Sequence, residues 1–339
     1  MDAGRVELVR IESEVLKGNA PGDPHVRTVP VYLPPSYDDR PDRRFPTAYV
    51  LTGFTGRGRM LLNDNLWSPP LDARMDALIA AGCGELILVM PDCATRYGGS
   101  QYLDSSATGR YETHLVSELV PEIDRRFRTL AGREHRAILG KSSGGYGALV
   151  QAMRHPELFG ALACHSGDMY FEYCYRGDIP KFCARVQNAG GLKTWFEAFE
   201  AARQKKHEDM VALNILGMAA SYSPNPATAP FGIDLPCDLA TGAFRPDVWD
   251  RWLEMDPIHL LDRHADALRS MALVYLDCGI RDEWTLHLGM RLFAARLDAL
   301  GVAHQRQEFD DGHMNVQYRY DESLPRVAAA IGATRRPAR

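Results

Sequence analysis

Apolar positions in this chain follow two alternating rhythms. Short continuous runs read as buried strands: TAYVLTG (47–53), ELILVMP (85–91), RAILG (136–140), FGALACHSG (159–167) and MALVYLDCG (271–279). Between them lie stretches with helical spacing. One covers 71–81, another 111–127 with Leu115, Leu119 and Ile123 on one face and Pro121 bending it, and a third 144–155. Alternation of short apolar strands with helices predicts a mostly parallel sheet covered by helices on both faces. VRTVPVYLPPSY (26–37) mixes β-branched residues with prolines, which predicts an edge strand. Towards the carboxyl end the pattern predicts a helix with Leu288, Leu292, Ala295 and Ala299 on its packed face. After it come a strand at HQRQEF (304–309) and a last helix through Val327 to Ile331.

The rhythm breaks between residues 168 and 264, where aromatic, helix-prone and proline-rich sequence such as KTWFEAFEAARQKK and SYSPNPATAPFGIDLP takes over. Its Trp, Phe and Leu residues need burial, so the segment reads as a cap inserted into a core formed by 1–167 and 265–339. The cap around Trp195, Trp249 and Trp252 would then shape the pockets over the core.

The informative motif is RAILGKSSGGYGAL. Gly140, Ser142 and Gly144 spell G-x-S-x-G directly between a predicted strand and a predicted helix, the setting of an α/β-hydrolase nucleophile. A tight turn there lifts the serine hydroxyl above the sheet, and the following helix aims N–H groups at a developing oxyanion. A phosphate loop is the rival reading, but the first glycine it requires falls on His135. Ser143 competes as nucleophile, yet the glycine spacing centres the turn on Ser142 and leaves Ser143 to donate its N–H. A serine hydroxyl is a weak nucleophile until a histidine takes its proton and a carboxylate holds that histidine. His313, in EFDDGHMN after a predicted strand, is the expected base, with His304 and His287 read as surface residues. Asp282, beyond the Gly279 turn in YLDCGIRDEW, is the expected acid. Asp277 sits too close to the strand, and Glu283 is placed to cap the next helix. The second oxyanion donor is expected from LTGFTG, at the N–H of Phe54, with Thr55 next. Arg57 and Arg59 beside it read as solvated loop cations, recognition of an acidic substrate group being the alternative.

Bulk properties narrow the field. The 339 residues are 45% hydrophobic and 24% charged, which supports a large core. A formal net charge of −5 provides no basic field for nucleic acid. The amino terminus lacks a signal-peptide core, and no stretch is apolar enough to span a membrane, so a cytoplasmic protein is expected. Seven cysteines, never as C-x-x-C, read as reduced thiols, and eleven histidines show no metal-ligand spacing. No metal or cofactor is expected, and assembly into a homo-oligomer is compatible with the sequence.

With these residues in hand, the chain resembles the esterase family of α/β hydrolases that includes esterase-D-like and enterochelin- or feruloyl-esterase-like enzymes. The likeness runs through VYLPPSYDD, FPTAYVLTGFTG, ILVMPDC, YETHLVSELVPEIDRRFRT, GKSSGGYGAL, LDCGIRDEW and DDGHMN. Similar segments supply the serine, acid and histidine in that family, which would fall on Ser142, Asp282 and His313. Relatives often read L-H-G where Thr52 stands here, a small departure because the donor is a backbone N–H. The resemblance implies a small-molecule ester or thioester substrate. An acyltransferase using the same three residues, and a non-catalytic binding protein of the same fold, are the alternatives.

Overall fold

A computed structural model describes residues 3–334. Eight strands form one sheet: β1 (Arg5–Glu12), β2 (Val26–Leu33), β3 (Thr47–Leu51), β4 (Ile87–Val89), β5 (Arg136–Lys141), β6 (Ala161–His165), β7 (Leu273–Gly279) and β8 (Gln305–Phe309). Their spatial order is β1-β2-β4-β3-β5-β6-β7-β8. Only β2 runs against the rest: it pairs antiparallel with both β1 and β4, and every other pairing is parallel. This is the α/β-hydrolase arrangement.

Period-two alternation divides the core between the two faces of the sheet. Tyr49, Leu51, Ile138 and Leu162 face the larger cluster, shared with the Ser143–Arg154, Pro257–Arg269 and Leu286–Ala299 helices. Ala48, Val50, Ala137, Leu139 and Ala163 face the smaller one, covered by the Leu71–Ala80 and Tyr320–Ala330 helices.

Three local expectations are corrected. The 26–33 strand is not an edge, because β1 lies outside it with Leu8 opposite Pro30. Val9 and Ile11 are the buried residues that hold β1 there, a signal too short to separate from a polar terminus. The helix before β8 buries Leu286, Met290, Phe293 and Leu297, leaving Leu292 37% exposed. Two apolar stripes compete on that helix, and the one with the bulky Phe293 wins the core. The last helix begins at Tyr320, well before Val327. Around Pro121 the chain stays helical, but His114–Leu119 widens into a π-helical turn that relieves the clash of the proline ring with the preceding turn.

Between 168 and 264 the chain is largely helical, with helices Ile179–Asn188, Leu192–Ala201, His207–Tyr222 and Pro246–Leu253. The Pro257–Arg269 helix runs across residue 264. Trp195, Trp249 and Trp252 join the same continuous cluster as the sheet face, so this segment shares its core with the rest of the chain.

Beneath the carboxyl rim of the sheet, Asp277 is buried in β7. Its Oδ1 lies 2.7 Å from His165 Nδ1, and its Oδ2 accepts from Arg319 Nε at 2.9 Å and Tyr275 OH at 3.0 Å. His165 Nε2 lies 2.8 Å from Ser323 Oγ, which ties β6 and β7 to the last helix. Burial opposes ionisation of Asp277, but His165 and then Arg319 outweigh it and hold the carboxyl below its usual range. A depressed carboxyl stabilises the fold above the ordinary aspartate range and loses that contribution as pH falls through its folded value. Asp277→Asn is therefore expected to cost about 3–5 kcal/mol at neutral pH, as for one half of a buried pair. It should also flatten the acid limb of stability against pH in urea unfolding.

Candidate active site

Ser142 links β5 to the Ser143–Arg154 helix with φ 59° and ψ −130°, a conformation costly for any residue with a Cβ. Its N–H donates to His165 O at 2.9 Å and its carbonyl accepts from Tyr146 N at 2.9 Å, so neighbouring elements over-determine the turn. The flanking glycines are needed for close approach. A Cβ on Gly140 would stand 2.5 Å from Gly144 O and 2.7 Å from Leu51 O, and one on Gly144 would meet Leu51 O and stand 2.8 Å from Thr52 O. The helix can therefore start directly against the end of β3.

The loops after β7 and β8 are zipped together: Ile280 N donates to Phe309 O at 2.9 Å and Arg281 N to Asp311 O at 3.0 Å. That zipper brings Asp282 and His313 side by side. His313 Nδ1 lies 2.7 Å from Asp282 Oδ2, and His313 Nε2 lies 2.9 Å from Ser142 Oγ. Both Asp282 and His313 are 4% exposed, and the Trp284 ring stands at 64° to the imidazole with centroids 4.7 Å apart. Asp282 Oδ1 accepts from Trp284 N at 2.9 Å, which fixes the carboxylate. Glu283 does not cap the following helix. It accepts the backbone N–H of His313 at 2.7 Å instead, because the zippered loops place that N–H nearer than the helix end.

Near Ser142, the Thr55 N–H is committed to Gly98 O at 3.0 Å, whereas neither the Phe54 nor the Ser143 N–H has an acceptor among the described residues. A Cβ on Gly53 would lie 3.2 Å from Ser142 Cβ, so the 53–54 peptide passes close to the serine. Thr52, where relatives read histidine, has its carbonyl held by Tyr102 OH at 2.7 Å.

A cavity of about 310 Å³ opens on this group, lined by Phe54, Ser142, Ser143, Trp284, His313 and Met314 among others. The 168–264 segment contributes Tyr175, Met210, Val211 and Asn214. Trp195, Trp249 and Trp252 do not line it; their rings are large enough to fill the core, and they are buried there. Asp168 was missed in the sequence. Its Oδ2 accepts from Tyr175 OH at 2.7 Å, Ser143 Oγ at 3.1 Å and Gln101 Nε2 at 3.2 Å, and burial raises its pKa. The available signal was its place just beyond the carboxyl end of a parallel strand.

His304 and His287 are partly buried rather than solvated. His304 Nδ1 is 3.0 Å from Val302 O, His287 Nδ1 is buried without a hydrogen-bond partner among the described residues, and neither residue lines the cavity. Arg57 and Arg59 are exposed. Among the described residues one cluster has metal-ligand proximity, Glu172, Asp256 and His259, and none of the three lines the cavity. Asp256 is already engaged by the N–H groups of Tyr170, Phe171 and Ile258.

The Phe54 ring is seated against the His207–Tyr222 helix. A Cβ on Gly217 of that helix would stand 2.6 Å from Tyr97 O and 2.9 Å from Phe54 Cε2. Because a backbone oxygen cannot swing away, Gly217→Ala should push the helix off the turn that carries Phe54. The expected cost is about 1–3 kcal/mol, read as a lower midpoint in denaturant unfolding.

Residues 24–326 match the model of the Esterase family, described as "Putative esterase". An endo-1,4-beta-xylanase/feruloyl esterase of Xylanibacter ruminicola is 29% identical over 195 residues, 52% of this chain and 25% of that protein. An esterase of Mycobacterium tuberculosis is 37% identical over 83 residues, 24% of this chain and 18% of its own length. The chain thus spans a quarter or less of these curated relatives. Among solved structures, a ferulic acid esterase superposes with TM-score 0.63 at 21% identity, covering 97% of this chain and 100% of that one. The fluorophosphonate-binding serine hydrolase F of Staphylococcus aureus gives 0.60 at 14% identity, covering 97% and 98%. These structural likenesses establish the fold, and the family match over most of the sequence establishes that the chain belongs to the esterase family of α/β hydrolases.

Proposed function

We propose that the chain hydrolyses carboxylic esters through an acyl-enzyme on Ser142. The observation that carries this reading is the continuous relay from Ser142 Oγ to His313 Nε2 and from His313 Nδ1 to Asp282 Oδ2, at 2.9 and 2.7 Å, opening on a cavity. As Ser142 Oγ attacks the ester carbonyl, His313 Nε2 takes its proton, and Asp282 holds the tautomer and stabilises the imidazolium. The carbonyl π pair moves to oxygen, where the N–H groups of Ser143 and Phe54 receive it. Collapse of the tetrahedral species expels the alcohol, which His313 protonates, and water then repeats the sequence on the acyl-enzyme. The 168–264 segment is the cap in this reading, since Tyr175, Met210 and Val211 give the cavity an apolar wall suited to an acyl chain or ring. The names of the feruloyl-esterase relatives support an ester substrate.

No described helix is long and apolar enough to cross a membrane. A cytoplasmic setting belongs to this reading because the seven cysteines are odd in number and nowhere spaced as C-x-x-C.

Ser142→Ala is expected to abolish both turnover of 4-nitrophenyl butyrate and labelling by a fluorophosphonate; labelling that survives would put the nucleophile elsewhere. Asp282→Asn should lower kcat by about 10⁴, since an amide favours the wrong imidazole tautomer. Glu283→Gln should keep most activity, because the amide oxygen still accepts the His313 N–H. Exchange of these two outcomes in steady-state kinetics would reverse the assignment of the acid.

A further inference from the structure

Lys141 immediately precedes Ser142, and its ammonium has no ion pair or hydrogen bond among the described residues. Strand alternation sends it to the same face as Ala137 and Leu139, towards the Tyr320–Ala330 helix. There it lines a second cavity of about 300 Å³, which shares Gly53, Phe54 and Lys141 with the cavity over Ser142. Among the described residues no carboxylate lines this second cavity. Its polar wall includes Lys141, Arg74, Asn63, Asn65, Ser68 and Gln317. Arg74 is paired with Asp321, so Lys141 is the cation left over.

An ammonium in a cleft loses hydration, and burial lowers the pKa of Lys141 accordingly. The carboxylates that act on it at longer range are engaged elsewhere. Asp282 is held by His313, Glu283 by the His313 N–H, and Asp168 by Tyr175, Ser143 and Gln101. A desolvated cation without a bonded counter-ion, in a cavity whose lining among the described residues offers hydrogen-bonding groups beside apolar ones and no acids, is suited to an anion.

We propose that this second cavity is a subsite for an anionic group, a carboxylate or a phosphate, carried by the ester, with Lys141 as its charge partner. The proposal rests on ester hydrolysis at Ser142, and it gives acid recognition to a residue adjoining the nucleophile while leaving Arg57 and Arg59 as exposed loop cations.

The test compares kcat/KM for matched pairs of esters on the full chain. Mono-4-nitrophenyl glutarate against 4-nitrophenyl butyrate places a carboxylate in the acyl part, and 4-acetoxyphenyl phosphate against phenyl acetate places a phosphate in the alcohol part. In at least one pair, Lys141→Gln should lower the anionic-to-neutral ratio by about ten-fold or more, the loss of one charge-assisted hydrogen bond. Lys141→Arg should restore much of it. Gln317→Glu, which puts a carboxylate into the cavity while sparing Lys141, should lower the same ratio. A preferred pair identifies which anion is taken and on which side of the ester. A ratio unchanged by Lys141→Gln in both pairs, with neutral esters still hydrolysed by the wild-type chain, overturns the subsite alone. A wild-type chain that hydrolyses none of the four esters overturns the hydrolase reading itself.

Discussion

The structure depends on one close approach of backbone to backbone, where the Ser143–Arg154 helix begins against the end of β3. Gly140 and Gly144 face carbonyl oxygens at distances that no side chain could share, and only that lack of Cβ atoms lets the chain turn from strand to helix in a single residue. The residue at the apex, Ser142, takes the strain as a positive φ and is held there by bonds to His165 O and from Tyr146 N. A looser turn would lower the hydroxyl towards the sheet, out of reach of an imidazole arriving from the β8 loop.

Two sets of serine, histidine and aspartate occur close together in this fold, and the contrast shows what separates structure from chemistry. His165, Asp277 and Ser323 have distances much like those of the Ser142 group, yet all three are buried and Asp277 is further engaged by Arg319 and Tyr275. That set joins the last helix to the sheet. In the other, Ser142 is partly exposed and the imidazole borders a cavity, so a substrate carbonyl has somewhere to sit. Donor and acceptor chemistry is the same; access differs.

The segment between 168 and 264 does more than line the cavity. Through Gly217 its longest helix rests on the Phe54 ring, and its Asp168, held by Tyr175 of the same segment, accepts from the Ser143 hydroxyl. Both residues proposed to donate to the oxyanion are therefore braced by this segment. Its tryptophans are buried in the shared core, so it is anchored by apolar burial as well as by these polar contacts.

Much of this was legible in the sequence because it depends on local chemistry. Continuous apolar runs mark strands buried on both faces, a G-x-S-x-G at a strand–helix junction marks the strained turn, and chain order points to Asp282 and His313. What the sequence could not decide was which of several locally equivalent choices the tertiary fold would take. The helix before β8 carries two apolar stripes, and only packing selects the one with Phe293. Glu283 could cap a helix until the zippered loops offer it the His313 N–H. Lys141 reads as an ordinary residue of the motif until strand alternation turns it into a cavity without acids. Local pattern determines which elements form and which residue types they carry, whereas burial, pairing and access belong to contacts between residues far apart in the chain, which only the assembled sheet and its helices create.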